Sequence, residues 1–441
     1  MRSSHTLPIQ RTAFDDPRLI ADAGLLLPAT LARRLGLAAL LERHVDLGRA
    51  AGRAHVADKG LTLIMSALAG GDCIDDVDAL RAGATAAVLG HRVAAPSTVG
   101  TFLRAFGWGH SRQLDAVSGE LLRRAWAASA GPGDDPLTID IDSTICETYG
   151  LHKHGGRSFT HTGVRGYHPL LAVRAGTDEV LHQRLRGGSA ATGRGAASFT
   201  VETIGRVRRA GATGQLTLRA DSGFYLHGVV DACRRGGVRF SISARSVVPL
   251  RAAIAAIPAE AWTPIPYWLD GGADVAETTY TPFRDRRGAR PVRLIVRRVR
   301  PTPSSQLDLF GTTYTYHPFI TDREGDTLVL EADHRAHATV ENAIRDLKYG
   351  VGLNHLPSGR FGANAAWLAF QVMSHNLARW VAQLGLALVA STKTLRRRLF
   401  AIAGRLTRSA RRLTLHLPAR WPWQLEFDRV LARLNAVPQL A

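Results

Sequence analysis

Apolar residues alternate with two periods along this chain, and the change of period divides it. Between about residues 25 and 128 the spacing is helical: Leu31, Leu35, Ala38, Leu41 and Val45 fall on one stripe. The runs LTLIMSALAGG and PSTVGTFLRAF continue that pattern, the second opening at Pro96 with Ser97 or Thr98 as a helix start. Short helices ending near Gly107 also admit a helix-turn-helix. The breaker-rich segment Ser129 to Pro136 (SAGPGDDP) then reads as a linker.

Beyond it the period drops to two. LTIDIDST, YHPLLAVRAG and EVLHQRLRGG read as successive strands. A helix from about Thr200 to Ala210, the strand QLTLRAD, a helix from about Leu226 to Arg235 and the strand VRFSIS follow. Strands first and then alternating helices and strands is the order of an α/β layer. From about Ser246 to Asp333, VAETTYTPF, ARPVRLIVRRVR and TTYTYHPFIT are β-rich and separated by Pro, Gly and Asp turns. The pattern returns to a helix from His334 to Tyr349, a long helix from about Ala363 to Leu388, and a basic helical tail. The expected segments are a helical N-terminal region (1–130), a core in two parts (131–245 and 334–390), a β-rich insertion (246–333) and a basic helical C-terminal region (391–441).

Charge narrows the function. The 441 residues carry 56 Lys plus Arg against 37 Asp plus Glu, a formal net charge of +19, and a polyanion such as nucleic acid is the expected partner. Only four of the cations are lysines (Lys59, Lys153, Lys348 and Lys393), a bias that a GC-rich genome also produces. The three cysteines (Cys73, Cys146 and Cys233) form no C-x-x-C pair, which fits a reducing compartment and argues against a zinc ribbon. The apolar run from Ala365 to Ala390 is interrupted by Gln371, His375, Asn376, Arg379 and Gln383 and makes a poor membrane span. A soluble cytoplasmic protein with no membrane partner is expected.

Within this frame three acids stand apart. On the LTIDIDST strand, Thr138, Asp140 and Asp142 share one face, and two buried carboxylates there require a positive partner, an arginine or a metal. Asp221 closes QLTLRAD just before the Ser222-Gly223 turn. On the following helix His334, His337, Glu341, Arg345 and Lys348 recur every three or four residues and share a face, a carboxylate flanked by bases. Two strand-end aspartates and a helical glutamate suit hard divalent cations.

The segments D-S-T, R-A-D-S-G-F and E-N-A-I-R-D-L-K resemble the three catalytic regions of bacterial insertion-sequence DDE transposases, in the branch with a β-rich insertion before the glutamate. The resemblance runs from about Leu137 to Trp380. It implies an RNase H-like catalytic core interrupted by that insertion, with helical regions at both ends. It also implies a catalytic triad of Asp142, Asp221 and Glu341 holding two Mg²⁺ (or Mn²⁺). Element ends in double-stranded DNA would be cut and their 3′-hydroxyls joined to target DNA, by a homodimer in a bacterial, nucleoid-associated setting. Many relatives carry Y-x2-R-x3-E-x6-K around the glutamate. Glu341 and Lys348 fit, whereas His334 stands where Tyr is usual and His337 where Arg is usual. The implied DNA contacts are His334, His337, Arg345, Lys348 and a base-stacking tryptophan of the insertion, Trp268 or Trp262. A non-catalytic DNA-binding relic and a metal-dependent RNase H-like nuclease are the competing readings.

Overall fold

The computed structural model describes residue 9 and residues 11–50, 52–149, 151–267, 272–300 and 314–440. Its centre is a nine-stranded sheet, and every strand read from the period-two segments takes part in it. In chain order the strands are β1 (Leu137–Ser143), β2 (Leu170–Arg174), β3 (Val180–Arg184), β4 (Leu216–Ala220), β5 (Arg239–Ser243), β6 (Thr263–Ile265), β7 (Ala273–Tyr280), β8 (Val292–Val299) and β9 (Thr315–Thr321). Across the sheet they lie in the order β3-β2-β1-β4-β5-β9-β8-β7-β6. Pairing is antiparallel from β3 to β1 and parallel from β1 through β4 to β5. It is antiparallel again from β5 outward.

The β-rich segment is therefore not a separate body. Its last strand, β9, pairs with β5 (Ile320 opposite Ile242), and the segment extends the edge of the central sheet. That segment also starts with a helix, Val248–Ala255, which the β reading did not separate.

The helices Ala196–Ala210 and His227–Arg235 connect β3 to β4 and β4 to β5. The N-terminal helices, among them Leu26–Arg34, Leu37–His44, Val56–Ala69 and Trp108–Ala125, share one hydrophobic core with the sheet. The helix Phe361–Leu386 runs through that core with Trp367, Phe370 and Trp380 buried. The polar residues that interrupt its apolar run are the ones that fasten it. Asn376 brackets the edge of β3, accepting from the Val180 N–H and donating to the Val180 carbonyl, both at 2.8 Å. His375 bonds the Asp178 carbonyl at 2.7 Å. Arg379 pairs with Asp346. No single helix among the described residues is long and apolar enough to cross a membrane.

Two helix readings need correction. The helix expected to start at His334 starts instead at Thr327, where the Asp326 carboxylate accepts the Leu328 and Val329 N–H groups and caps it. It is also not continuous: Thr327–Arg335 gives way to a tight turn at Ala336–Thr339, a second helix at Val340–Arg345 and a wide turn at Asp346–Gly350. The basic tail is not wholly helical. Gly404–Ser409 (β10) and Arg412–His416 (β11) form a hairpin, with Ala410 and Arg411 both at positive φ in its turn, and Leu19–Ile20 pairs with β10. Both strands of the hairpin are largely exposed, Leu413 included, so no buried face imposes a clear period-two alternation there. The same tail includes Arg396, which is no surface cation: it donates to the carbonyls of Leu68, Ala67 and Gly350.

Candidate active site

β1 and β4 run side by side, with Ile141 opposite Ala220. One residue further, at the carboxyl ends of these parallel strands, come Asp142 and Asp221. Carboxyl ends of parallel strands are where open α/β sheets expose their functional groups. Asp142 is partly buried, and its Oδ1 accepts the Ser143 N–H at 2.6 Å. Asp221 is exposed, and its Oδ1 accepts the Gly223 N–H at 2.9 Å, closing the Ser222–Phe224 turn. Glu341 lies in the first turn of Val340–Arg345 and is exposed.

These three acids act on one another. Burial pushes Asp142 up to about 6, and the negative charges of Asp221 and Glu341 add to the rise, while the Ser143 N–H and His337 oppose it. The three do not form a tight knot. Among the described residues, the group of three ligand-type side chains with atoms all within 4.8 Å is Asp72, Cys73 and Asp76, elsewhere on the chain.

Asp140 faces the same way as Asp142 but is already neutralised. Arg219, directly opposite on β4, donates to both of its oxygens from Nε and Nη2, each at 2.8 Å, and His337 Nδ1 lies 2.8 Å from Oδ1. Arg219 also reaches Asp333 at 3.1 Å, which ties the start of the glutamate-bearing segment to the sheet. The sequence reading missed Arg219, although the signal was present. It precedes Asp221 by the same i, i+2 step that separates Asp140 from Asp142.

The remaining predicted residues divide. His334 has both ring nitrogens occupied, by the hydroxyls of Ser241 (2.9 Å) and Ser243 (3.0 Å), and its ring stacks on Phe319 at 4.1 Å. Burial pushes it down to about 3, with His337 and Arg219 adding to the fall. It is a neutral packing residue with no free nitrogen to give a phosphate. His337 is held by Asp140. Arg345 is exposed and bonded to Asn342, and Lys348 is half-buried on the wide turn. Trp268 lies outside the described residues. Trp262 carries the Arg298 guanidinium 4.2 Å over its ring.

Supports reach the site from behind. Asp346 sits among Arg379, His375 and the Thr392 hydroxyl, and these partners hold its carboxyl well below the usual range even though burial opposes them. They anchor the end of Val340–Arg345 to the core helix. On β1, the Ser143 hydroxyl donates to His168 Nε2 at 2.9 Å, and His168 Nδ1 donates to the Ala190 carbonyl at 2.9 Å. A 900 Å³ cavity lies elsewhere, at the amino ends of β4 and β5, lined by residues including Gln215 and Arg239.

No curated protein matches the chain. Its fold is similar to the structure of a piggyBac transposase synaptic complex with hairpin DNA, at 12% identity and a TM-score of 0.47, over 87% of this chain and 80% of that one. A model of the transposase DDE domain, group 1, matches residues 8–439, nearly the whole sequence. The chain belongs to the group 1 family of transposase DDE domains.

Proposed function

We propose that this protein cuts the ends of an insertion sequence and joins their 3′-hydroxyls to target DNA, using Asp142, Asp221 and Glu341 as its catalytic carboxylates. The observation that carries this reading is that Asp142 feels the charges of both Asp221 and Glu341, and among the described residues no arginine or lysine forms an ion pair with any of the three, while Asp140 beside them has Arg219. The strand order β3-β2-β1-β4-β5, with its antiparallel-then-parallel pairing, supports an RNase H-like core, and β6–β9 support an insertion along its edge.

The donor set fits hard divalent cations. It consists of carboxylate oxygens at two strand ends and one helix, mutually repelling and partly exposed. Asp142 would hold both of two Mg²⁺ (or Mn²⁺), with Asp221 and Glu341 each completing one. Bound there, the ions supply an activated water or 3′-hydroxyl and stabilise the leaving oxygen. The Ser143 N–H fixes one Asp142 oxygen, and the Gly223 N–H fixes one of Asp221. Arg345 and Lys348 grip phosphates on either side of the cut. His334 orders the segment ahead of Glu341 through Ser241 and Ser243.

Residues 1–130 recognise the element end in this reading. Arg43, Arg112 and Arg123 line an 810 Å³ groove between their helices and Arg209. A homodimer brings the two ends together.

The test is cleavage of a labelled duplex carrying the element's end, with Mg²⁺ or Mn²⁺. Wild type is compared with Asp142→Ala, Asp221→Ala and Glu341→Ala. Metal-dependent cutting abolished by each substitution, followed by joining to a second duplex, is the expected result. Cutting without joining would assign a nuclease. Binding without cutting would assign a relic.

A further inference from the structure

The segments that carry Asp142 and Glu341 run on into one cleft. The segment leaving β1 passes through the short strand Cys146–Glu147 to Thr148 and Tyr149. The helix bearing Glu341 continues into the wide turn that carries Lys348 and Tyr349. These two segments line a 660 Å³ cleft, together with Lys153 and the stretch from Gly352 to Leu356.

The chain has four lysines and two of them, Lys153 and Lys348, are here. Two tyrosines line it with 82% and 70% of their surface exposed, Tyr149 and Tyr349. Tyrosine rings left in water beside cations make a stacking platform for bases next to charges for phosphates. Glu147 and Asn354 also line the cleft. With Asp72, which also lines it, they offer acceptors and an amide to base edges, and leave the two lysines as the cleft's partners for phosphate. A volume of this size holds a ligand of one or two nucleotides, within the range of roughly 300–1,000 Å³ usual for small-molecule clefts.

The walls are built in advance. The Lys153 ammonium donates to the Leu356 carbonyl, and the His154 N–H to the Gly359 carbonyl at 2.9 Å. Tyr167 donates its hydroxyl to the His154 carbonyl, and Asn364 bonds both Tyr167 and Ser358. Gly352 turns at φ +78°, where a Cβ would meet Asp72 at 2.8 Å. Little ordering is left for a ligand to impose.

We infer that this cleft takes an unpaired nucleotide of the DNA strand, its base stacked on Tyr149 or Tyr349 and its phosphate met by Lys153 and Lys348. The inference rests on the proposed DNA chemistry for its substrate but is read by binding alone. The full chain is titrated, in chelator so that nothing is cut, against a short labelled oligodeoxythymidine and against a duplex of equal length. An oligonucleotide with a single 2-aminopurine reports stacking by quenching. Tyr149→Ala and Tyr349→Ala are expected to weaken single-strand binding about tenfold and to lose the quenching, with duplex binding unchanged. Tyr149→Trp and Tyr349→Trp retain both, and matching thermal melts exclude misfolding. Alanine variants that bind and quench as the parent does, or that lose duplex binding equally, overturn the assignment. A failed active-site reading shows elsewhere, as cleavage that survives Asp142→Ala.

Discussion

Arg219 holds Asp140 through two parallel hydrogen bonds of 2.8 Å across the β1–β4 pair, and both side chains are almost wholly buried. This pair separates two neighbouring aspartates into different roles. Asp140 is spent within the protein, and Asp142, two residues along the same face, is left for something else. Removing Arg219 leaves the buried Asp140 carboxylate with only His337 beside it among the partners described above. Arg219→Met is expected to cost about 3–5 kcal/mol in denaturant unfolding, and Asp140→Leu with Arg219→Met to recover most of that loss. A double variant as unstable as the single one would show that the pair does more than neutralise itself.

The proposed DNA contacts flanking Glu341 are expected to make separable contributions to affinity. Arg345→Ala and Lys348→Ala should each weaken duplex binding uniformly across sequences and lower the slope of log K against log salt by about 1. His334→Gln should leave that slope alone and lower the melting temperature, because its ring is bonded to Ser241 and Ser243 and stacked on Phe319. A changed slope for His334→Gln would return it to the DNA interface.

A cluster around His182 links the N-terminal helices to the sheet and responds to acid. Glu202 is held down to about 2, first by its bond with His182 and then by Arg184, against the opposing effect of burial. A carboxyl depressed from 4.5 contributes stability in full above that value and loses it as pH falls toward about 2. Glu202→Gln should therefore cost about 1 kcal/mol near neutrality, after solvent screening of a half-exposed group. The difference from wild type should vanish between about pH 4.5 and 2 in urea titrations. A difference that persists at the acid end would place the effect outside this carboxylate.

The two ends of the chain are packed together at Gly24. A Cβ on that residue would sit 1.7 Å from the Leu399 carbonyl oxygen, so the backbone itself must move. Gly24→Ala is expected to destabilise by about 1–3 kcal/mol or more and to raise proteolytic cutting of the β10–β11 hairpin, which pairs with Leu19–Ile20. Wild-type stability in Gly24→Ala would mean that the two segments separate at little cost.

Much of this protein is written in its local pattern. The alternation Leu137, Ile139, Ile141 and the apolar run of β4 fix strands, because side chains on a pleat must bury one face. The acids at the ends of those strands and on the helix were visible for the same reason, since period and turn chemistry depend on neighbours a few residues away. What the sequence left open depends on partners far along the chain. Arg219 rather than a metal answers Asp140, because β1 and β4 happen to register those two residues. His334 is a buried ring, because β5 brings Ser241 and Ser243 beneath it. The β-rich segment joins the central sheet through β5 and β9, although its own alternation would suit a separate body equally well. Local spacing determines which face a residue occupies; only the packing of distant segments decides what that face meets.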